Sequence, residues 1–376
     1  MVQSVKIDLT RNIARTLQGL QDEADFAIPS CIGECEDWTP IQFFPKILRV
    51  IALLSGRIFV GLPLCRNEEW ITTTINYTMD IFAAVPQIRK LNPILKPFLA
   101  PWLPEVRRIK QNRIKGARLL RPILEKRFTD MKNPDFKPPA DMIQFSIEHS
   151  GAKGEDALFQ SFVQMVASFA AIHTTAMNVT HVIYNLAAYP EYQEPLREEL
   201  EQVLAADNGV LIKSSMTKLK KMDSFIKESQ RMTPPNALSL TRLALEDITL
   251  SDGFFIPKGT YTAFSSLGIS RDPALYPNPE TFDGFRFSKL REQPGNENRY
   301  QFVTTGDDAI SFGHGKHACP GRFFASNEIK VILVGLLLRY EMRFKDGEGR
   351  PKDVLARTQI NPNRGAEVLF RRQQKT

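Results

Sequence analysis

The sequence predicts a mostly α fold with a minor β portion, organised as a single domain over residues 1–376. Three observations carry that expectation. Helical apolar spacing dominates the first 230 residues. Short strand-like runs separated by turn residues crowd into positions 238–264, and one last helix with a buried-looking run, Val331 to Leu338, follows a glycine-rich loop.

Taken in order, Asp37 is expected to cap a helix from about Trp38 to Leu54 that Gly56 ends. A second helix is expected from about Asn67 to Ala84. Prolines at 86, 93, 97, 101 and 104 then mark a stiff connection into a strongly basic helix, about Glu105 to Phe128, and Asn133 to Pro139 reads as a loop. The longest pattern starts near Glu155. Leu158, Phe162, Met165, Phe169 and Ile172, then Ala176, Val179, Ile183 and Leu186, recur at steps of three and four as far as Pro190. That is one helix of about 45 Å at 1.5 Å per residue, long enough to cross a domain. A helix from Met216 to Met232 stops at Thr233-Pro234-Pro235. Strands are expected at Leu238–Arg242, Ile248–Leu250, Phe254–Ile256 and Thr260–Phe264, with turns at Asp252-Gly253 and Lys258-Gly259. Arg271 to Thr305 reads as irregular, and Pro320 to about Arg339 as a helix.

Composition narrows the function classes. A hydrophobic fraction of 43% supports a sizeable core, and the net charge of +7 is scattered along the chain, which argues against nucleic-acid binding. Four cysteines in 376 residues do not make a disulfide framework. Cys31 and Cys35 lack a second pair at zinc spacing. The most apolar early segment, Phe43 to Cys65, carries Lys46, Arg49 and Arg57, so no membrane-spanning helix is expected there.

The most specific text is Phe312-Gly313-His314-Gly315-Lys316-His317-Ala318-Cys319-Pro320-Gly321. Read physically, a glycine-hinged loop delivers Cys319 to the start of a buried helix, whose free N–H groups and partial positive charge favour a thiolate. Gly321 admits a flat group close to the backbone, and Phe312 can shield the sulfur. Three readings fit these residues alone: a haem-iron ligand, a nucleophile with His314 or His317 as base, and an ordinary buried cysteine.

This loop closely resembles the haem-binding loop of the cytochrome P450 family, the haem-thiolate monooxygenases. The family usually has Arg where this chain has His317. Other segments match in order: Glu228 and Arg231 fall on the family's Glu-x-x-Arg, Arg286 on a later arginine, and Arg242 on a propionate-binding position. Gly284 and Phe285 replace the commoner Pro and Glu. Ala170-Ala171-Ile172-His173-Thr174-Thr175 matches the oxygen-activation segment, in which the helix is distorted beside the iron, with His173 standing where the family has an acid.

The resemblance implies the P450 fold, and Cys319 as the axial thiolate on the iron of haem b. Thr174 and His173 would be the catalytic pair. His317 and Arg242 would hold the propionates, while Phe312 and Gly321 flank the cofactor. Glu228, Arg231 and Arg286 would support the cysteine loop. Phe169, Ala170 and Asn236 to Leu240 would face substrate. The reaction implied is insertion of one atom of O2 into a small apolar substrate, with NADPH electrons relayed by NADPH-cytochrome P450 reductase at the cytosolic face of the endoplasmic reticulum. Arg322-Phe323-Phe324-Ala325 after the loop is similar to fungal enzymes of terpenoid metabolism, the ent-kaurene oxidase group. Relative to that family the chain starts late, without the usual N-terminal anchor, first strands and propionate-binding Trp helix. A non-catalytic remnant with weak haem binding is therefore the rival expectation, and a cysteine-nucleophile hydrolase the second.

Overall fold

The protein is described from a computed structural model, which covers residues 1–374. The chain opens with a π-helical turn, Ser4–Leu9, and α1 (Ile13–Ile32), which packs on α2 (Phe43–Phe59). Between them lies strand β1 (Thr39–Gln42), where a helix led by Asp37 was expected. Gly56 does not end α2 either. It sits mid-helix, where a Cβ would come within 3.1 Å of that of Cys65, so a small residue is required for close packing rather than for a stop.

Helix α3 (Glu68–Lys90) starts on Asn67, whose side chain accepts from the amides of Glu69 and Trp70. It runs through Pro86 rather than ending before it. The one-turn α4 (Lys96–Leu99) and the basic α5 (Pro104–Asp130) follow, then α6 (Met142–Ser150), capped by Asp141. The long α7 (Ala157–Ala188) is capped by Asp156, which accepts from the Leu158 amide. It packs on α2, α3, α5 and α6, so its apolar stripe meets protein on several sides. Among the described residues it is the helix long and apolar enough to cross a membrane, and half of that stretch is buried within the fold.

Beyond α8 (Gln193–Ala206) and the short α9 (Ser215–Lys218), helix α10 (Lys220–Met232) carries the Glu-x-x-Arg pair. Four short strands follow: β2 (Leu238–Leu243), β3 (Ile248–Thr249), β4 (Phe255–Ile256) and β5 (Tyr261–Ser265), paired antiparallel as β2–β5 and β3–β4. Then come α11 (Ser266–Ser270), α12 (Arg286–Arg291) inside the irregular stretch, and α13 (Arg322–Leu337). At the end β6 (Tyr340–Arg343), β7 (Val354–Ala356), β8 (Gln359–Asn361) and β9 (Glu367–Arg372) form the remaining sheets. β9 lies between β1 and β6, with Ile41 opposite Val368 and Met342 opposite Phe370.

The irregular segment is tied down by charge. Glu228, completely buried, receives Nε of Arg231 at 2.8 Å and Nε of Arg286 at 3.2 Å. The Arg231 guanidinium also donates to the carbonyls of Ser270 and Pro279. A buried carboxylate with two guanidiniums and the Asp283 amide is well satisfied. Gly284 follows from packing: a Cβ there would lie 2.6 Å from the Phe225 ring, inside a cluster made with Tyr192, Phe282 and Phe285.

Candidate functional site

The cysteine loop is built from its own backbone. The Cys319 amide donates to the Phe312 carbonyl at 2.7 Å, and Ala318 donates to Gly315 at 3.1 Å. Gly313 and Gly315 hold φ of 70° and 66°, the left-handed region that a side chain resists. At Gly313 a Cβ would also come within 3.3 Å of the His317 carbonyl. Arg322, on the first turn of α13, donates to the carbonyls of Cys319 and Val303, which fastens the loop to the segment before it. Phe312 meets Phe302 edge to face at 5.1 Å between centroids.

A cavity of about 320 Å³ lies between this loop and α7. Cys319, Phe312 and Gly321 line it from the loop side, and Ala170, Ala171 and Thr174 from α7. Phe59, Phe324 and Ile329 close it with apolar surface, and Val5 and Leu9 reach it from the N-terminal turn. At Gly321 a Cβ would sit 3.6 Å from Val5.

Burial pushes the Cys319 thiol above its ordinary pKa, against the opposing pull of the Gly321 amide, the Arg322 charge and the Arg322 amide. The helix start therefore acts on the sulfur in the expected sense, but burial outweighs it, and the protein alone holds a thiol. The nucleophile reading loses its base. His314 pairs with the Thr305 hydroxyl through Nδ1 at 3.1 Å, His317 is exposed, and among the described residues neither histidine hydrogen-bonds the sulfur. The ordinary-cysteine reading leaves unexplained why Cys319 lines a cavity.

On α7 the Thr174 hydroxyl folds back on the helix, donating to the Ala170 carbonyl at 2.7 Å. The helix runs unbroken through this turn from Ala157 to Ala188, where a distortion was expected. His173, one residue earlier, points elsewhere. It is 3% exposed, lies against the Phe82 ring at 6.0 Å, and both ring nitrogens lack hydrogen-bond partners among the described residues. Burial, reinforced by the Arg364 charge, lowers its pKa to about 4, so the ring is neutral. His173 stands behind the cavity wall rather than on it, which separates it from Thr174 in space although not in sequence.

The remaining expected residues divide in the same way. Ala170 and Asn236 line the cavity, as does Pro235, whereas Phe169 packs against Phe82 at 5.7 Å instead. The stretch from Ala237 to Leu240 is absent from the lining, and Leu238 faces outward in β2. Arg242 is exposed, with its guanidinium turned to the Thr241 carbonyl at 2.9 Å, and neither Arg242 nor His317 reaches the cavity wall. Among the wall residues that escaped the sequence reading, two carry side-chain amides. Asn178 sits one helical turn after Thr174 on the same face, which is the spacing that could have revealed it, and Gln230 lies inside the Glu-x-x-Arg segment.

The donor set fits a flat metal-bearing cofactor: one soft sulfur, small residues facing it across the cavity, and an apolar surround. Comparison with known proteins agrees. The family model described as Cytochrome P450 matches residues 39–370. The cytochrome P450 monooxygenase BOA4 of Botryotinia fuckeliana is 45% identical over 93% of this chain and 71% of its own length. The monooxygenase braC of Annulohypoxylon truncatum is 40% identical over 99% of this chain and 75% of its own. Among solved structures, the retinoic acid-bound cyanobacterial CYP120A1 superposes with a TM-score of 0.73 at 18% identity, covering 99% of this chain and 78% of that one.

Proposed function

The chain belongs to the cytochrome P450 family of monooxygenases, and from that premise we propose that it oxidises a small apolar specialised metabolite of terpenoid type, using electrons that NADPH delivers through a cytochrome P450 reductase. The balanced reaction takes substrate, O2, two electrons and two protons to a hydroxylated product and water. The single observation that carries this reading is that Cys319 and Thr174 line one cavity from two sides.

Haem b bound there supplies the iron at which dioxygen is reduced. The chain's own residues do the rest. Cys319 would hold the iron through its sulfur, where a cation's charge would offset the burial that raises the thiol's pKa. The Gly321 and Arg322 amides support the resulting negative charge. Thr174 presents its hydroxyl on the opposite wall, positioned by the Ala170 carbonyl, to hold and pass a proton. His173, neutral and behind the wall, does not reach the cavity and takes no proton there. Phe312 and Phe324 keep water from the sulfur. His317 and Arg242 are the family-matched candidates for the propionates, and both are exposed.

Substrate class rests on two supports. The wall offers Leu9, Phe59, Ala167 and Ile329, which suit a hydrocarbon skeleton. The Arg322-Phe323-Phe324-Ala325 wording resembles fungal terpenoid oxidases, and relatives of this chain are fungal monooxygenases. A place at the cytosolic face of the endoplasmic reticulum, beside the reductase, completes the reading.

The test is an incubation with NADPH, a fungal reductase, a panel of diterpenoids and isotopically heavy O2. One heavy oxygen atom in the product from O2, and none from labelled water, is the expected result. Label arriving from water, or no oxidised diterpenoid while other apolar classes are converted, overturns the corresponding part of the reading.

A further inference from the structure

The turn of α7 that carries Thr174 is held by a pair of side-chain amides. Nδ2 of Asn178 donates to the Thr174 carbonyl at 2.9 Å, and Nε2 of Gln230 donates to Oδ1 of Asn178 at 3.1 Å. Both residues line the Cys319 cavity. The first bond fixes the orientation of the Asn178 amide, because only its nitrogen can donate to a carbonyl, and that leaves Oδ1 to receive Gln230.

Asparagine is a poor residue for the interior of a helix, and Asn178 lies well inside a 32-residue one. Its side chain does not cap an end. It adds a second donor to a carbonyl that already serves the helix ladder, and it does so at the turn that brings Thr174 to the wall of the Cys319 cavity. Gln230 is 7% exposed and stands two residues after Glu228 and one before Arg231, on the most strongly anchored turn of α10. That turn is bound by Arg286 and by the carbonyls of Ser270 and Pro279 to the segment leading to the cysteine loop.

We propose that Asn178 and Gln230 are positioning residues for oxygen activation, a two-amide brace that locks the Thr174 turn of α7 to the anchored turn of α10. The proposal rests on the haem-thiolate reading above. The brace makes the placement of the Thr174 hydroxyl relative to Cys319 depend on α10, so that the two walls of the cavity keep their register. Neither amide transfers a proton. Each acts through Thr174.

The test uses the purified holoprotein, reduced under carbon monoxide, and reads the carbon–oxygen stretching band by infrared together with the optical band. Asn178→Leu and Gln230→Leu are each expected to shift the stretch in the direction that Thr174→Ala shifts it. The double variant should shift it no further than either single one, because the brace is one chain. Asn178→Asp provides a second, isosteric route: it keeps the acceptor for Gln230 and, when ionised, loses the donor to Thr174, so it should behave like the leucine variant. The red-shifted optical band and the thermal midpoint should stay at the wild-type level. A stretch unmoved in both Asn178 variants, or additive shifts in the double variant, overturns the brace alone. A fall in thermal midpoint with an unmoved stretch assigns the pair a merely structural role and also overturns it. A wild-type protein without the red-shifted optical band overturns the brace together with the haem-thiolate reading.

Discussion

Thr174 and His173 are neighbours in sequence, and the helix sends them to different sides. Thr174 reaches the cavity, while His173 is buried against the Phe82 ring, with no hydrogen-bond partner for its nitrogens among the described residues. The two predict different phenotypes. Thr174→Ala should lower product formation by about 10²-fold, within the range for a lost proton-transfer group, while NADPH consumption continues as peroxide or water. The ratio of product to NADPH consumed checks this. His173 should show instead in stability. Its folded pKa of about 4 lies below the ordinary histidine value of 6.5, so the folded state binds fewer protons between those values. Stability is fully present above about pH 6.5 and falls as pH drops towards 4, by at most about 3 kcal/mol from this ring. His181, lowered to about 4 mainly by burial, adds a fall in the same window. His173→Phe should flatten part of that acid limb in thermal scans taken from pH 7 to pH 4. An unchanged limb would refute the buried neutral ring.

At the scale of elements, Glu328 makes the clearest case. It lies on α13, is completely buried, and accepts the Ser55 hydroxyl of α2 at 2.7 Å, with its other oxygen unpartnered among the described residues. Burial raises its pKa to about 8 from the ordinary 4.5. The folded state therefore holds a proton that the unfolded chain releases, and stability falls as pH rises from about 4.5 through about 8. Glu328→Gln keeps the acceptor for Ser55 and removes the titration. It should raise the thermal midpoint at pH 8 and leave it near the wild-type value at pH 5. A variant less stable at both pH values would mean that an ionised carboxylate is being stabilised there. Elements also show what the sequence could carry. The long α7 was legible because its period persists over 32 residues and Asp156 caps it. The strand β1 was not, because its identity depends on β9, more than 300 residues later, and no local pattern over four residues records that pairing. Pro86 was read as a stop, yet α3 runs on for four residues beyond it, with the following proline-rich segment exposed.

For the whole molecule, the family and the geometry of the cysteine loop were legible, and the arrangement of the rest of the candidate site was only partly so. The glycine-hinged loop is local, so its residues specify their own geometry, down to the positive φ values of Gly313 and Gly315. Glu228, Arg231 and Arg286 also meet as their matched positions implied, because the ion pairs need only residue type and order. Side-chain direction is another matter. His173, Phe169, Arg242 and His317 were placed by their match to a family pattern, and the first two turn away from the cavity while the last two stay outside it. Periodicity locates a face but does not say which neighbour covers it. Asn178 and Gln230 were overlooked for the same reason, since their meaning comes from a contact between two helices.

The central claim is that Cys319 holds haem iron through a thiolate, and the optical spectrum of the reduced protein under carbon monoxide tests it most directly. The account predicts a strongly red-shifted Soret band in the wild type, lost in Cys319→Ala and retained in Cys65→Ala, whose sulfur is buried away from the cavity. A folded wild-type protein that takes up haem without that shift, or takes up none, would contradict it.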